Sequence, residues 1–289
     1  MSSCPACGGA TVAVERIDAR HLRRLWRLAL GVDADAELDR DGALSLHRCA
    51  GCGTLAFAPR REASPAFYDR LRRRPWYEPG SKREFRLAAE LLPPGARILD
   101  LGGGCGAFAR AAPHLEVTVV EAGTPWPEGR FDGGCAFQVL EHVAEPLALL
   151  RRLAASVRPG GRLVVGVPNA ESYLDRLENL PLDGPPHHLS RFTPAGLRRL
   201  AARAGLAAVV LLEAPVEPWE RTLHAMATRA PRRGPYYPAG ATAIARLVGA
   251  RILAALRPTE PASGEPGATL VAVGRAPGPV GPPPAEVAR

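Results

Sequence analysis

Apolar positions follow two periods along the chain, and the changes of period mark the elements. Helical spacing holds over 21–30 (Leu22, Leu25, Trp26, Ala29), 64–74 (Phe67, Tyr68, Leu71), 82–92 (Phe85, Leu87, Ala88, Leu91, Leu92) and 146–156 (Leu147, Leu149, Leu150, Leu153). Thr193 and Pro194 read as an N-cap and first-turn pair opening a helix over 193–205. Short apolar runs bounded by turn residues read as strands at 55–59, 97–101, 117–120, 132–137, 163–167, 207–213 and 269–273. Pro93-Pro94-Gly95 stops one helix, and Arg158-Pro159-Gly160-Gly161 turns another back into a strand. From 97 to 213 strands and helices alternate, which predicts a doubly wound, largely parallel α/β sheet. Residues 218–258 interrupt the pattern as an insertion with helices at 221–233 and 241–256.

One stretch organises this pattern. In ILDLGGGCGAF (98–108) an apolar strand ends in Asp100, and Gly102, Gly104 and Gly106 fall on alternate positions before a helix start. Glycine is required where φ is positive or where a ligand touches the main chain. Gly102, Gly104 and Ala107 also satisfy the dinucleotide spelling G-x-G-x-x-G/A, so the turn alone does not choose its ligand. Glu121 ends the second strand 19 residues after Gly102, where an α/β nucleotide site places the acid that binds ribose hydroxyls. Only nine residues then separate Glu121 from Phe131, too few for a helix and a strand. One strand is therefore missing, and a place at the sheet edge would spare the core.

Composition adds a metal centre. Cys4-x-x-Cys7-Gly8 and Cys49-x-x-Cys52-Gly53 repeat one spelling across a 41-residue spacer. Each turn aims two thiolates at one point, and Cys4, Cys7, Cys49 and Cys52 together complete a closed tetrahedral set for one structural zinc. His47 is read as a bystander, and Cys105 and Cys135 as small buried fillers. The formal charge is +8, but Lys82 is the only lysine, and the arginine-rich excess reads as coding bias rather than a nucleic-acid patch. No signal-peptide pattern and no run of membrane-spanning length is recognisable, so a cytoplasmic location is expected.

Four ordered spellings make the reading specific: ILDLGGGCGAF, FDGGCAFQVLEHVAEP, RPGGRLVVGVPN and PPHHLSRFTPAGLRRLAARAGL. With them the chain resembles a class I S-adenosylmethionine-dependent methyltransferase over roughly 82–214. The closest pattern is the subgroup with an N-terminal zinc-binding segment, which often methylates sugars or other small natural products. The resemblance implies a Rossmann-like methyltransferase sheet, mostly parallel with its last strand antiparallel. It assigns S-adenosylmethionine to Asp100, Gly102, Gly103, Gly104 and Gly106 at the methionine end, to Glu121 at the ribose, and to Gln138 near the sulfonium, with Val139 and Leu140 beside it. It also divides the chain into a zinc ribbon (1–60), a helical cover (61–92), the cofactor domain (93–215 with 265–276), a helical insertion serving as lid or dimer face (216–262), and a disordered tail (277–289).

His187 and His188 are the acid–base candidates, in a loop after the fifth core strand where the acceptor should arrive. His188 aligns with the base-like histidine of zinc-containing sugar C-methyltransferases. Pro185 and His187 replace the Tyr and Glu of that pattern, which leaves O-methylation open. A pair of loop histidines closing over the cofactor is the bland alternative. Glu141 and His142 are read as holding the loop after the fourth strand, Tyr77 as able to reach the cofactor, and Trp76 as packing. The expected activity is methyl transfer to a small-molecule acceptor, at a hydroxyl or an activated carbon. A zinc-ribbon RNA methyltransferase, a nicotinamide oxidoreductase and a non-catalytic cofactor-binding scaffold are the competing classes. No Asn/Asp-Pro-Pro-Tyr/Phe follows the fourth strand, which disfavours base-amine methylation, and nucleic acid is not expected as a partner.

Overall fold

A computed structural model describes residues 3–38, 42–77, 80, 82–121, 123–256, 259, 261–262 and 265–278. The N-terminal part contains β1 (Thr11–Asp18), α1 (Ala19–Leu30), α2 (Asp35–Leu38), β2 (Ala43–Cys49), β3 (Leu55–Ala58) and α3 (Pro65–Arg72). The cofactor-side elements are α4 (Arg83–Leu91), β4 (Arg97–Leu101), α5 (Ala107–Ala111), β5 (Glu116–Val120), β6 (Phe131–Phe137), α6 (Pro146–Ser156) and β7 (Val157–Pro168). Then come β8 (Ser190–Arg191), α7 (Pro194–Arg203), β9 (Ala207–Pro215), α8 (Arg221–Arg229), α9 (Ala241–Leu256) and β10 (Pro266–Arg275).

The main sheet has the order β5-β4-β6-β7-β10-β9. Strands β5, β4, β6 and β7 pair in parallel, and β10 runs antiparallel between β7 and β9. Side chains alternate between its two faces. Ile98, Cys135, Phe137, Val164 and Val271 meet Phe85 and Ala88 of α4 and Phe108 of α5. Leu99, Leu101, Ala136, Leu163, Val165 and Leu270 meet Leu150 and Leu153 of α6 and Leu197 and Leu200 of α7. Among the described residues no strand lies outside β5, as the nine-residue gap after Glu121 requires. Trp126 closes that gap instead. Its indole donates to Ser156 Oγ at 2.7 Å, and Arg152 stacks over the ring at 4.2 Å.

The second sheet, β1-β2-β3-β8, is antiparallel and takes its last strand from the chain after β7. The cysteine turns therefore do not stand apart. Arg203 of α7 donates to Ala6 O (2.9 Å), and Thr193 Oγ1 donates to Cys52 O (2.6 Å) while accepting from Gly196 N as the α7 cap. Trp26 of α1 packs edge-on against Phe67 of α3 and donates to Pro185 O.

Two expectations need correction. Arg158–Gly161 is not a free turn but the irregular start of β7, where pairing with β6 shifts from Phe131↔Val157 to Gly133↔Arg162. Cys105 is exposed on the glycine turn rather than buried, whereas Cys135 is buried as expected. Trp76 is 42% exposed and packs edge-on against Tyr77, with ring centroids 6.2 Å apart. Residues 279–289, most of the tail expected to be disordered, lie outside the described residues. Among the described residues no helix is long and apolar enough to cross a membrane.

Candidate active site

The glycine turn leaves β4 with Gly102, Gly104 and Gly106 all at positive φ, as their alternate spacing implied. Gly103 needs glycine for a different reason. A Cβ there would lie 2.3 Å from Asp100 Oδ2, so the backbone passes directly over the acid. Gly102 abuts Val139 in the same way, at 2.6 Å for a Cβ. Asp100 is buried at the strand tip, and among the described residues neither carboxylate oxygen has a hydrogen-bond partner. Burial pushes its carboxyl up to about 7, with Glu121 adding to the shift and Lys82 opposing it. A buried acid without partners fits a cationic ligand, and the α-ammonium of S-adenosylmethionine is such a group.

The other cofactor candidates fall around this acid. Glu121 Oε1 accepts from Gly104 N at 2.7 Å, so one carboxylate oxygen braces the turn. Gln138 follows β6 at φ 57, an uncommon conformation for a residue other than glycine. Its amide donates to Glu84 Oε1 at 3.3 Å. Glu84 is buried on the cover helix α4, and sequence reasoning missed it, since nothing distinguishes it from a solvent-facing helix acid. Val139 lines the turn, and Leu140 points into the core.

Beyond Gln138 the chain enters a buried histidine cluster. The ligand atoms of His142, His187 and His188 lie within 4.8 Å of one another. Their tautomers follow from their partners, because a carbonyl only accepts. His142 Nδ1 donates to His187 O and His187 Nδ1 donates to Leu182 O, both at 2.8 Å. His187 Nε2 then accepts from the Tyr77 hydroxyl at 2.9 Å. Tyr77 thus reaches this cluster. Burial, reinforced by His188, pushes His142 down to about 3. Burial, then His142 and His188, push His187 well below its ordinary range. Both rings are neutral near pH 7.

His188 is held differently. Its Nδ1 faces Asp183 Oδ1 at 3.1 Å, and Asp183 Oδ2 pairs with buried Arg191 at 2.8 Å. Its Nε2 faces Glu141 Oε1 at 4.0 Å. Glu141 is fully buried, and among the described residues neither of its oxygens has a hydrogen-bond partner. Burial raises its carboxyl to about 7, with His188 opposing the shift. Asp183 and Arg191 carry no sequence signal. They meet only because β8 bends the loop 183–191 across the ribbon sheet. The expected structural role of Glu141 and His142 is partly visible, since Glu141 O accepts from Leu189 N and Ser190 N. Their side chains, however, face the cluster.

The four ribbon thiols converge as their spacing required. Cys4 Sγ lies 3.6 Å from Cys52 Sγ, and Cys7 Sγ lies 3.4 Å from Cys49 Sγ. All four ligand atoms lie within 4.8 Å of one another, and none is in a disulfide. His47 bonds Ser45 Oγ at 2.9 Å and stays outside that group.

Comparison with known proteins gives the family of the chain. The model of a family described as a methyltransferase domain matches residues 68–211. A ubiquinone biosynthesis O-methyltransferase of Xanthomonas axonopodis pv. citri is 28% identical over 174 residues, 46% of this chain and 72% of that protein. One from Xanthomonas campestris pv. campestris is 31% identical over 113 residues, 29% of this chain and 47% of that protein. Solved structures to which the chain is similar include a Thermotoga maritima protein described as a SAM-dependent methyltransferase, possible histamine N-methyltransferase. It is 20% identical with a TM-score of 0.41, over 67% of this chain and 87% of that one. The YcgJ protein of Bacillus subtilis is 14% identical with a TM-score of 0.44, over 67% and 98%. With the glycine turn, the buried acid beneath it and the matched domain spanning both, the chain belongs to the class I S-adenosylmethionine-dependent methyltransferases.

Proposed function

We propose that this enzyme transfers a methyl group to a hydroxyl of a small-molecule acceptor bound against the histidine cluster. The observation that carries the reading is the Arg191–Asp183–His188 series. It fixes Nδ1–H of His188 toward a carboxylate and turns the Nε2 lone pair inward, beside Glu141. The bound cofactor supplies an electrophilic methyl on a sulfonium. The chain's own tasks are to align the acceptor oxygen with that methyl and to take its proton. His188 is assigned as the proton acceptor. His187, stacked on it at 4.6 Å, keeps its ring in place. Asp100 and the turn 102–106 hold the methionine end, and Glu121 the ribose. The O-methyltransferase names of the curated relatives favour a hydroxyl over a carbon acceptor.

The ribbon thiols are proposed to hold one structural zinc. A tetrahedral ion with bonds of about 2.3 Å separates its sulfurs by about 3.8 Å, close to the two distances seen, and leaves no open position for chemistry.

A screen of hydroxylated aromatic and sugar acceptors, read by the mass gain of one methyl, tests the activity. His188→Ala should lower kcat by roughly 10²–10⁴ while leaving cofactor affinity unchanged. Turnover of the variant at the wild-type rate removes His188 as the base. Failure of the wild type to bind S-adenosylmethionine at millimolar concentration overturns the reading altogether.

A further inference from the structure

Among the described residues of the cluster, Glu141 is fully buried with no hydrogen bond to either carboxylate oxygen. A carboxylate out of water needs hydrogen bonds, a proton or a cation, and among the described residues neither of its oxygens has a hydrogen-bond partner. Two imidazole nitrogens face it. His142 Nε2 lies 3.7 Å and His188 Nε2 lies 4.0 Å from Glu141 Oε1. Each of these rings has its other nitrogen fixed by an acceptor, His187 O for one and Asp183 Oδ1 for the other. That outer bond is what orients a histidine toward a metal and makes it a better ligand.

We propose that Glu141, His142 and His188 form a second metal site, distinct from the cysteine set, which takes a first-row divalent transition cation such as Zn²⁺, Mn²⁺ or Co²⁺. Two imidazoles and one carboxylate favour such ions over Mg²⁺ or Ca²⁺, which prefer oxygen donors. Around a tetrahedral ion with bonds of about 2.1 Å, neighbouring donors lie about 3.4 Å apart. The observed 3.7 and 4.0 Å therefore close by small side-chain rotations.

Ring orientation selects this trio over the three histidines. The planes of His142 and His188 cross at 69°, so their in-plane lone pairs can converge. His187 lies nearly parallel to His188, at 19°. Two stacked imidazoles direct their lone pairs side by side and cannot share one ion. His187 Nε2 is also bonded to Tyr77. His187 serves instead through its carbonyl and its stacked face.

Three protein donors leave a coordination position for an acceptor oxygen. The inference thus rests on the methyl-transfer reading for its purpose, while the site itself does not. In the cation-loaded enzyme His188 is a ligand, and the proton route through its Nε2 belongs to the cation-free form. The test is elemental analysis of the full-length protein after equilibration with Zn²⁺ and gel filtration, with Co²⁺ absorption as the second readout. Wild type should carry about two ions per chain, and Glu141→Gln or His142→Gln about one. His187→Gln should keep both, and Cys7→Ser should lose only the thiolate-bound ion. Bound Co²⁺ should show thiolate charge-transfer bands from the ribbon plus a weaker visible band that Glu141→Gln removes. Thermal melts and cofactor titration confirm that each variant is folded. One ion in wild type, or two retained in both Glu141→Gln and His142→Gln, overturns the proposal and leaves the methyl-transfer reading standing. Two ions with no methylated product from any acceptor would do the reverse.

Discussion

Asp100 gives the sharpest prediction, because function and stability pull on it in opposite directions. Its carboxyl sits under the Gly103 backbone with no hydrogen-bond partner among the described residues, and burial pushes it up to about 7 from an ordinary value of 3.8. A carboxyl raised in the folded state is protonated there while the unfolded chain has already ionised. The folded state therefore loses stability as pH rises from about 4 to about 7, and the loss is complete above that range. The difference, about 3 pH units at about 1.4 kcal/mol each, sets an upper size of about 4 kcal/mol. Asp100→Asn removes the charge but leaves a buried amide, whose unmet hydrogen bonds cost about 1–3 kcal/mol. The cofactor-free variant should thus exceed wild type by about 1–3 kcal/mol at pH 8 and show little or no advantage at pH 5. Urea denaturation of both proteins at the two pH values reads this directly. The same substitution should weaken S-adenosylmethionine binding by at least tenfold, since the ammonium loses its counter-charge. Wild-type binding should weaken as pH falls below about 7. If the stability gap between variant and wild type is the same at pH 5 and pH 8, or if Asp100→Asn binds the cofactor normally, this account of the turn is wrong.

Other consequences can be checked separately. Gly103→Ala drives a methyl into the Asp100 carboxylate, and isothermal calorimetry should show cofactor affinity lost while circular dichroism stays native. Asp183→Asn breaks the buried pair with Arg191 and frees His188 Nδ1. It should destabilise the protein by about 3–5 kcal/mol in a denaturant melt, because the guanidinium is left buried without its partner. Cys52→Ser should release the ribbon zinc and lower the melting temperature of the whole chain in one transition, since the cysteine turn is bonded to Thr193 at the α7 cap. An unchanged melting temperature would show the ribbon to be energetically separate.

Much of the fold could be read from the chain because its signals are local. The 3.6-residue spacing at 146–156 and the Thr193–Pro194 cap gave α6 and the start of α7, since helix hydrogen bonds close within four residues. The alternate glycines marked positive φ, which only glycine adopts readily. The repeated Cys-x-x-Cys-Gly spelling brought four thiols together because each turn is a self-contained knuckle. Even the missing strand was visible, as a segment too short to hold one. What the sequence could not show depends on contacts between distant segments. Ser190 and Arg191 joining the ribbon sheet as β8, Asp183 meeting His188 and Arg191, and Glu84 reaching Gln138 all depend on how the sheets pack. The same holds for Glu141, which read as a loop support and proved to be a fully buried acid facing two imidazoles. Burial and long-range pairing are properties of the packed whole, so the sequence named the cofactor turn while only the tertiary structure assembled the chemistry beside it.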